Sequence, residues 1–236
     1  MNLQRLDKII SSTQNISRAI ARKDIQRGKV CVNGQTVRDI SFKTDVQNDT
    51  IEYCGQTQYY KEHIYIIMNK PKGILSASDD KTRQTVVDLV PEALKRTGLF
   101  PVGRLDRDTT GLLIITDDGD FAHNVISPKK NICKRYSVLL DGLLTEEIVN
   151  IFAKGVTLAD GTICKPARLD IINDTLAEIT ISEGKYHQIK RMFGTVGLGV
   201  VDLKRISIGS LKLPENLDFG ECRELTQDEF YQIFDN

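Results

Sequence analysis

Leu3, Leu6, Ile9 and Ile10 recur at helical spacing and predict a short amphipathic helix at the start of the chain. Ser17, with Ile16 before it, supplies an N-cap for a second helix running to about Gln26, and Gly28 ends it. The pattern then changes. Lys29-Val30-Cys31-Val32 predicts a strand, Asn33-Gly34 a tight hairpin turn and Gln35-Thr36-Val37 the returning strand. Residues 55–62 are polar and turn-rich and are expected to be a linker. Ile64-Tyr65-Ile66-Ile67-Met68 predicts a strand, broken by the Pro and Gly of Asn69-Lys70-Pro71-Lys72-Gly73. Further strands are expected at 112–116, 135–140, 167–172 and 176–182, and helices at 84–96, 118–126, 145–153 and 186–196, with Gly184 ending the strand before the last helix. Strands outnumber helices and no regular βαβ repeat appears, which predicts an α+β fold with a mixed or antiparallel sheet. The expected organisation is a small module at 1–54, the linker at 55–62 and a larger domain at 63–236.

Composition narrows the setting. No apolar stretch approaches the length needed to cross a membrane, and the N-terminus has no long apolar segment of the secretory kind, so neither a membrane nor export is expected. Five cysteines, Cys31, Cys54, Cys133, Cys164 and Cys222, are widely spaced without a Cys-x-x-Cys pair, which argues against a zinc site or a disulfide framework and fits a reducing cytoplasm. The formal net charge is zero, yet its distribution is not even. Residues 1–38 carry eight Lys or Arg against two Asp, whereas the stretch from Pro214 carries seven acidic residues against Arg223. Local fields decide what a polyanion meets, because charges beyond roughly 10 Å are screened in salt. The second helix can place Arg18, Arg22 and Lys23 along one side, where cations meet successive phosphates without reading bases. The acidic end is expected either to pack on the sheet as a helix or to form a surface that avoids nucleic acid.

Three patches carry candidate chemistry. In Gly103-Arg104-Leu105-Asp106-Arg107-Asp108-Thr109-Thr110-Gly111-Leu112, Asp106 stands in a Gly-bounded loop beside two arginines, ahead of a wholly apolar strand. On pattern alone, Asp106 and Asp108 fit a metal pair or a solvated turn equally well. The second patch, Ser127 to Tyr136, holds Lys129, Lys130, Lys134 and Arg135 before a tyrosine that, on pattern alone, reads first as a core residue at a strand edge. The third is Glu183-Gly184-Lys185-Tyr186-His187-Gln188-Ile189-Lys190-Arg191-Met192-Phe193. Histidines stand only at 63, 123 and 187, too far apart to suggest a metal triad, and His187 is expected to position a ligand or pack locally rather than act as an acid–base group.

The first patch resembles the active-site motif of the pseudouridine synthases, in the RsuA-type branch that includes the ribosomal small-subunit enzyme. That branch reads Gly-Arg-Leu-Asp-x-Asp-Thr-x-Gly-Leu, and every position is present. Asn69-Lys70-Pro71-Lys72-Gly73 and the His-Gln-x-Lys-Arg-Met-Phe spelling resemble the same branch. The N-terminal pattern, Arg5-Leu6-Asp7, Ser17-Arg18, Ile25 and Gly28 through Val32-Asn33-Gly34, resembles the S4 RNA-binding domain. The resemblance implies a catalytic Asp106, an active-site Tyr136 facing the uracil, a Lys190 paired with Asp106 and an Ile189 packed near the base. It implies that Arg104 fills the vacated stack or holds a phosphate, with Arg191, Lys70, Lys134, Arg5, Arg18, Arg22 and Lys23 as further RNA contacts.

The reaction so implied isomerises a uridine within RNA, uridine 516 of 16S rRNA in the ribosomal small-subunit enzyme. The expected partner is 16S rRNA or an assembling small-subunit particle. No metal and no small-molecule cofactor are expected, and the default state is a monomer in the cytoplasm. Three alternatives stand beside it: a large-subunit (23S) rRNA enzyme of the same family, a non-catalytic S4-domain RNA-binding or ribosome-assembly protein, and a metal-dependent nuclease or transferase using Asp106, Asp108, Asp117 and Asp118.

Overall fold

The structure is a computed structural model and describes residues 3–235. The chain divides into two compact units: residues through His63 together with Lys95–Gly98, and Ile64–Leu94 together with Leu99 onward.

The first unit contains β1 (Leu3–Arg5), α1 (Leu6–Thr13), α2 (Arg18–Gln26), β2 (Val30–Val32), β3 (Gln35–Val37), β4 (Lys43–Asp45), β5 (Ile51–Tyr53) and β6 (Gln56–Gln58). Leu6, Ile9, Ile10, Ala21, Ile25 and Val30 are fully buried and form its core. The Ser17 hydroxyl accepts from the Ile20 N–H and caps α2. Two expectations fail here. Leu3 belongs to β1, paired with Asp45, and its side chain is exposed rather than on the core face of a helix. The expected linker holds β6, because Cys54 and Gly55 both take positive φ and close a two-residue hairpin that pairs Tyr53 with Gln56. Polar composition there does not mean lack of structure.

The basic residues of this unit are organised by one acid. Asp7 is fully buried, and its carboxylate accepts from Arg5, Arg18 and Arg22. The three arginines therefore form a cluster around a carboxylate, not a ladder along a helix. Burial pushes the Asp7 carboxyl up, but the three guanidiniums outweigh it and hold it well below the usual carboxylate range. A depressed native value stabilises the fold fully above the unfolded carboxyl's titration near 3.8 and loses that stabilisation as pH falls below it. Asp7→Asn is expected to destabilise this unit by about 2 kcal/mol at neutral pH. Hydrogen exchange of peptides from residues 3–63 in urea measures it, and unchanged protection at pH 7 would rule the cluster out as a stabilising element.

The second unit contains β7 (Tyr65–Lys70), β8 (Phe100–Pro101), β9 (Thr110–Thr116), α3 (Gly119–Ile126), β10 (Lys134–Leu140), α4 (Glu146–Lys154), β11 (Arg168–Ile171), β12 (Leu176–Ile181), α5 (Gln188–Gly194), β13 (Val200–Ile208), β14 (Leu211–Lys212), β15 (Cys222–Glu224) and α6 (Gln227–Gln232). The sheet order is β11-β12-β10-β13-β9-β7-β15, with β14 on β13 and β8 on β9. The β13–β9 pair is parallel and the other pairs are antiparallel, so the fold is α+β with a mixed sheet. Leu112 to Ile115 are all fully buried because both faces of β9 are covered: Leu113 and Ile115 enter one apolar cluster, Leu112 and Ile114 the other. Each such side chain contributes roughly 1.5–3 kcal/mol.

The segment 84–96 does not form the expected helix. Leu75 and Thr85 bridge as extended chain, the Asp88 carboxylate accepts from the Thr85 N–H and hydroxyl, and only Glu92–Leu94 make a single 3-10 turn after Pro91. The longest strand, β13, was not anticipated, although Leu203, Arg205 and Ile208 turn inward along it. The acidic end packs as a helix. Thr226 and Glu229 form a capping box, Phe230 stacks on Phe121 and contacts Tyr65, and Ile233 is fully buried.

Candidate active site

The loop from Val102 to Thr109, between β8 and β9, carries Asp106. Gly103 adopts a positive φ of 75°, and the buried Leu105 anchors the loop in the core. A second loop, 71–76, clamps it. The Gly73 N–H donates to the Arg107 carbonyl, and Ser76 Oγ both donates to the Leu105 carbonyl and accepts from the Leu105 N–H. Lys70 completes the clamp. Its Nζ donates to the carbonyls of Pro71, Asp106, Arg107 and Thr109 at 3.0, 3.2, 3.4 and 3.0 Å.

Lys70 was expected to touch a polyanion. It is fully buried, so it builds the loop instead. Burial pushes its ammonium down to about 8, with the charges of Asp108 and Asp106 acting the other way.

Tyr136, on β10, is 8% exposed and lines the same cleft as Asp106. Ile189 and Lys190 reach it from the first turn of α5. That turn is set by a buried brace that the sequence pattern does not reveal. The Glu183 carboxylate accepts from Gln188 Nε2, the Lys165 N–H and Lys185 Nζ, each at 2.9 Å, while Gln188 Oε1 accepts from the Lys185 N–H. Burial pushes the Glu183 carboxyl up, and these donors, led by Lys185, bring it below the usual carboxylate range. His187 then takes a left-handed backbone conformation, with φ 49°, ahead of the helix.

The result is a small solvent-open cleft walled by Arg104, Asp106, Tyr136, His187, Ile189 and Lys190. Asp106 is 30% exposed there, with Lys190 Nζ and His187 Nε2 each 3.5 Å from one of its oxygens. The shorter contacts of Lys190 go to Asp108, at 2.6 and 2.7 Å. The Lys190 ammonium holds the Asp108 carboxyl below the usual range, against burial. Lys190 therefore bridges two carboxylates, where the sequence pattern suggested one. His187 at the acid was not anticipated either, and its exposed neighbour Tyr186 stacks on it at 3.9 Å between ring centroids.

The remaining expected contacts divide. Arg104 is exposed at the cleft, and Lys23 is exposed on α2. Lys134 instead donates to the carbonyls of Val125 and Ile132, and burial, with the charge of Arg205, pushes its ammonium down to about 8. Arg191 is tied to Asp160 at 2.5 Å and to the Tyr186 carbonyl. Lys134 is therefore turned to backbone carbonyls, and Arg191 is held in an ion pair at the surface. Lys129 and Lys130 are exposed. Asp117 and Asp118 do not converge with Asp106: Asp117 accepts from the Ile64 N–H, and Asp118 caps α3. Among the described residues, no group of three or more His, Cys, Asp or Glu stands arranged to hold a metal, and no helix is long and apolar enough to cross a membrane.

Comparison with known proteins gives this constellation a context. Residues 64–195 match the family model of RNA pseudouridylate synthase, and residues 4–51 match that of the S4 domain. An uncharacterized RNA pseudouridine synthase of Bacillus subtilis (strain 168), YtzG, is 41% identical over 97% of this chain and 98% of its own length. Ribosomal small subunit pseudouridine synthase A of Escherichia coli (strain K12) is 40% identical over 97% of this chain and 99% of its own. A crystal structure of a pseudouridylate synthase superposes with a TM-score of 0.69 at 38% identity, covering 97% of this chain and 99% of that one. The chain thus belongs to the RNA pseudouridylate synthase family, an RNA isomerase with an S4 domain ahead of its catalytic region.

Proposed function

We propose that this isomerase converts one uridine of small-subunit 16S rRNA to pseudouridine, with uridine 516 as the target. The observation that carries the catalytic part is the cleft in which Asp106, Tyr136, Ile189 and Lys190 meet. The small-subunit target rests on near full-length similarity to the Escherichia coli enzyme.

In this reaction the bond from ribose C1′ to uracil N1 breaks, the base turns, and C5 bonds to C1′ before losing its proton. The base that leaves is the nucleophile that returns, so one carboxylate suffices where glycoside hydrolysis normally needs two. Asp106 acts on the sugar, either at C1′ or at the C2′ proton. Lys190 sits between Asp106 and Asp108 and favours the ionised form of Asp108. Tyr136 and Ile189 flank the base, and the Tyr136 hydroxyl serves near C5. Atoms and electrons balance without an oxidant or group carrier, so the proposed reaction needs no cofactor; a cytoplasmic monomer is the state proposed for the enzyme.

The target nucleotide must leave its stack, at a cost of a few kcal/mol. Stacking on an aromatic ring returns roughly 1–3 kcal/mol, and Arg104 is available to fill the gap. Arg5, Arg18 and Arg22, side chains 41, 49 and 45% exposed around Asp7, together with Lys23, Lys129 and Lys130, are proposed to contact phosphates. Binding through such contacts weakens steeply with salt.

The test incubates the protein in EDTA with unmodified 16S or 23S rRNA, or with an early small-subunit assembly particle. Pseudouridine is mapped by carbodiimide-blocked primer extension. A single stop in 16S rRNA is expected. A stop confined to 23S rRNA would reassign the substrate, and no stop in any RNA would remove the catalytic assignment.

A further inference from the structure

The two halves of the cleft come from different parts of the sheet. Asp106 precedes β9, Tyr136 lies on β10, and β13 stands between these strands. The ladders on either side are long: β13 pairs with β10 from Lys134↔Ile208 to Leu140↔Val200, and β9 pairs with β7 from Tyr65↔Thr116 to Lys70↔Gly111. The junction between β13 and β9 is short, with only Lys204↔Thr110 and Arg205↔Gly111 in register. Whatever fixes that junction also fixes the separation of the two functional side chains.

Arg205 sits at this point. Its backbone is opposite Gly111 on one side and Tyr136 on the other. Approach to β9 is so close that a Cβ on Gly111 would lie 2.2 Å from the Arg205 carbonyl oxygen, so glycine is required there on spatial grounds as well as by its φ of 100°. The Arg205 side chain is 4% exposed, and its Nε donates to the Leu112 carbonyl at 2.7 Å, adding a bond across the short ladder. The guanidinium carbon lies over the ring of Tyr136, 6.0 Å from its centroid. Its Nη2 is buried without a hydrogen-bond partner among the described residues.

We infer that Arg205 is a positioning residue for the isomerisation: it ties β13 to β9 and holds the Tyr136 ring from behind, setting the geometry between Tyr136 and Asp106. This rests on the assignment of Tyr136 and Asp106 to the reaction. Only the guanidinium offers both a directed Nε–H and a flat cation for the ring. A lysine supplies charge without the planar fork, and a glutamine supplies an N–H without the charge. Misplacement of reacting groups by about 1 Å costs on the order of 100-fold in rate.

Arg205→Lys and Arg205→Gln are made in the full chain, with two readouts. Single-turnover pseudouridine formation at saturating RNA is expected to fall at least roughly 10-fold in both, with RNA affinity within about threefold of the parent. The ¹⁹F resonance of 3-fluorotyrosine at position 136, assigned by its loss in Tyr136→Phe, is expected to shift in both variants. A residue that only stabilised the fold would lower the melting temperature while leaving the rate of the folded fraction and the resonance unchanged. If, in a folded variant, either the rate stays within twofold or the resonance does not move, the inference is overturned. A parent protein that makes no pseudouridine sinks the functional proposal instead, and the resonance still tests the Arg205 contact.

Discussion

Asp106→Asn is expected to lose pseudouridine formation by at least about 10⁴-fold while keeping RNA binding and stability. Asparagine has nearly the same shape but neither the charge nor the basicity that an attack on C1′ or removal of the C2′ proton requires. The fold should tolerate the change. Asp106 is partly exposed, and among the described residues its carboxylate is approached by Lys190 and His187 at 3.5 Å. The loop is held by backbone groups instead, through Lys70, Gly73 and Ser76. Lys190 keeps Asp108 as its close partner, so no buried cation is stranded. Single-turnover assays on 16S rRNA, filter binding and urea unfolding read the three quantities. A variant that retains activity within tenfold of the parent would exclude Asp106 as the reacting group.

Lys70→Met is expected to have the second-largest effect, although its side chain lies outside the cleft. Four carbonyls of the Asp106 loop and its clamp converge on one ammonium, and methionine fills the space without a donor. Hydrogen bonds to a charged group are worth about 1.5–3 kcal/mol each, but they share one cation and its burial cost, so a net loss of about 3 kcal/mol is expected. Turnover should fall on the order of 100-fold as the loop loses its set position. The pH dependence has a defined sign. The native ammonium titrates at about 8 and the unfolded one near 10.5, so between these values the unfolded chain holds the extra proton. The burial cost is present in full below 8, and Lys70 makes the fold more stable as pH rises through that window. The neutral amine has fewer N–H groups for the same carbonyls, so turnover should decline over the same range. Comparing urea midpoints of parent and variant at pH 7.5 and 9.5 isolates the contribution: the gap should widen. A gap that narrows, or a variant with parental turnover, would contradict this role.

Both predictions depend on how unevenly this chain was legible. The second helix, the hairpin at Asn33-Gly34, the apolar run of β9 and the helices after Asp118 and Thr145 announce themselves through caps, turns and periodicity, which are local properties. The failures have physical causes. Strands β4, β5 and β6 are three residues each, too short to display a period, and β6 looked like a linker because its hairpin turn uses Cys54 rather than the commoner asparagine. The stretch 84–96 has apolar residues at a helix-compatible spacing, yet Val86 and Val90 are buried from irregular backbone pinned by Leu75 and Asp88. β13 is central yet shows no strand pattern, since Arg205 occupies an inward position where an apolar residue would signal a strand.

The sequence by itself determined the identities that chemistry needs: an acid in a Gly-bounded loop, a tyrosine opening a strand, a lysine in the first turn of a helix, and a basic N-terminal module. It also determined the family, because those identities recur in a long fixed order. Only the tertiary structure decided which cations face outward. Lys70 and Lys134 are drawn inward by carbonyls, and Arg5, Arg18 and Arg22 gather on a buried Asp7. A lysine in a motif has the same composition whether its ammonium meets solvent or backbone. The difference lies in the desolvation cost and in the acceptors that distant segments bring to it, and neither is a local property of the chain.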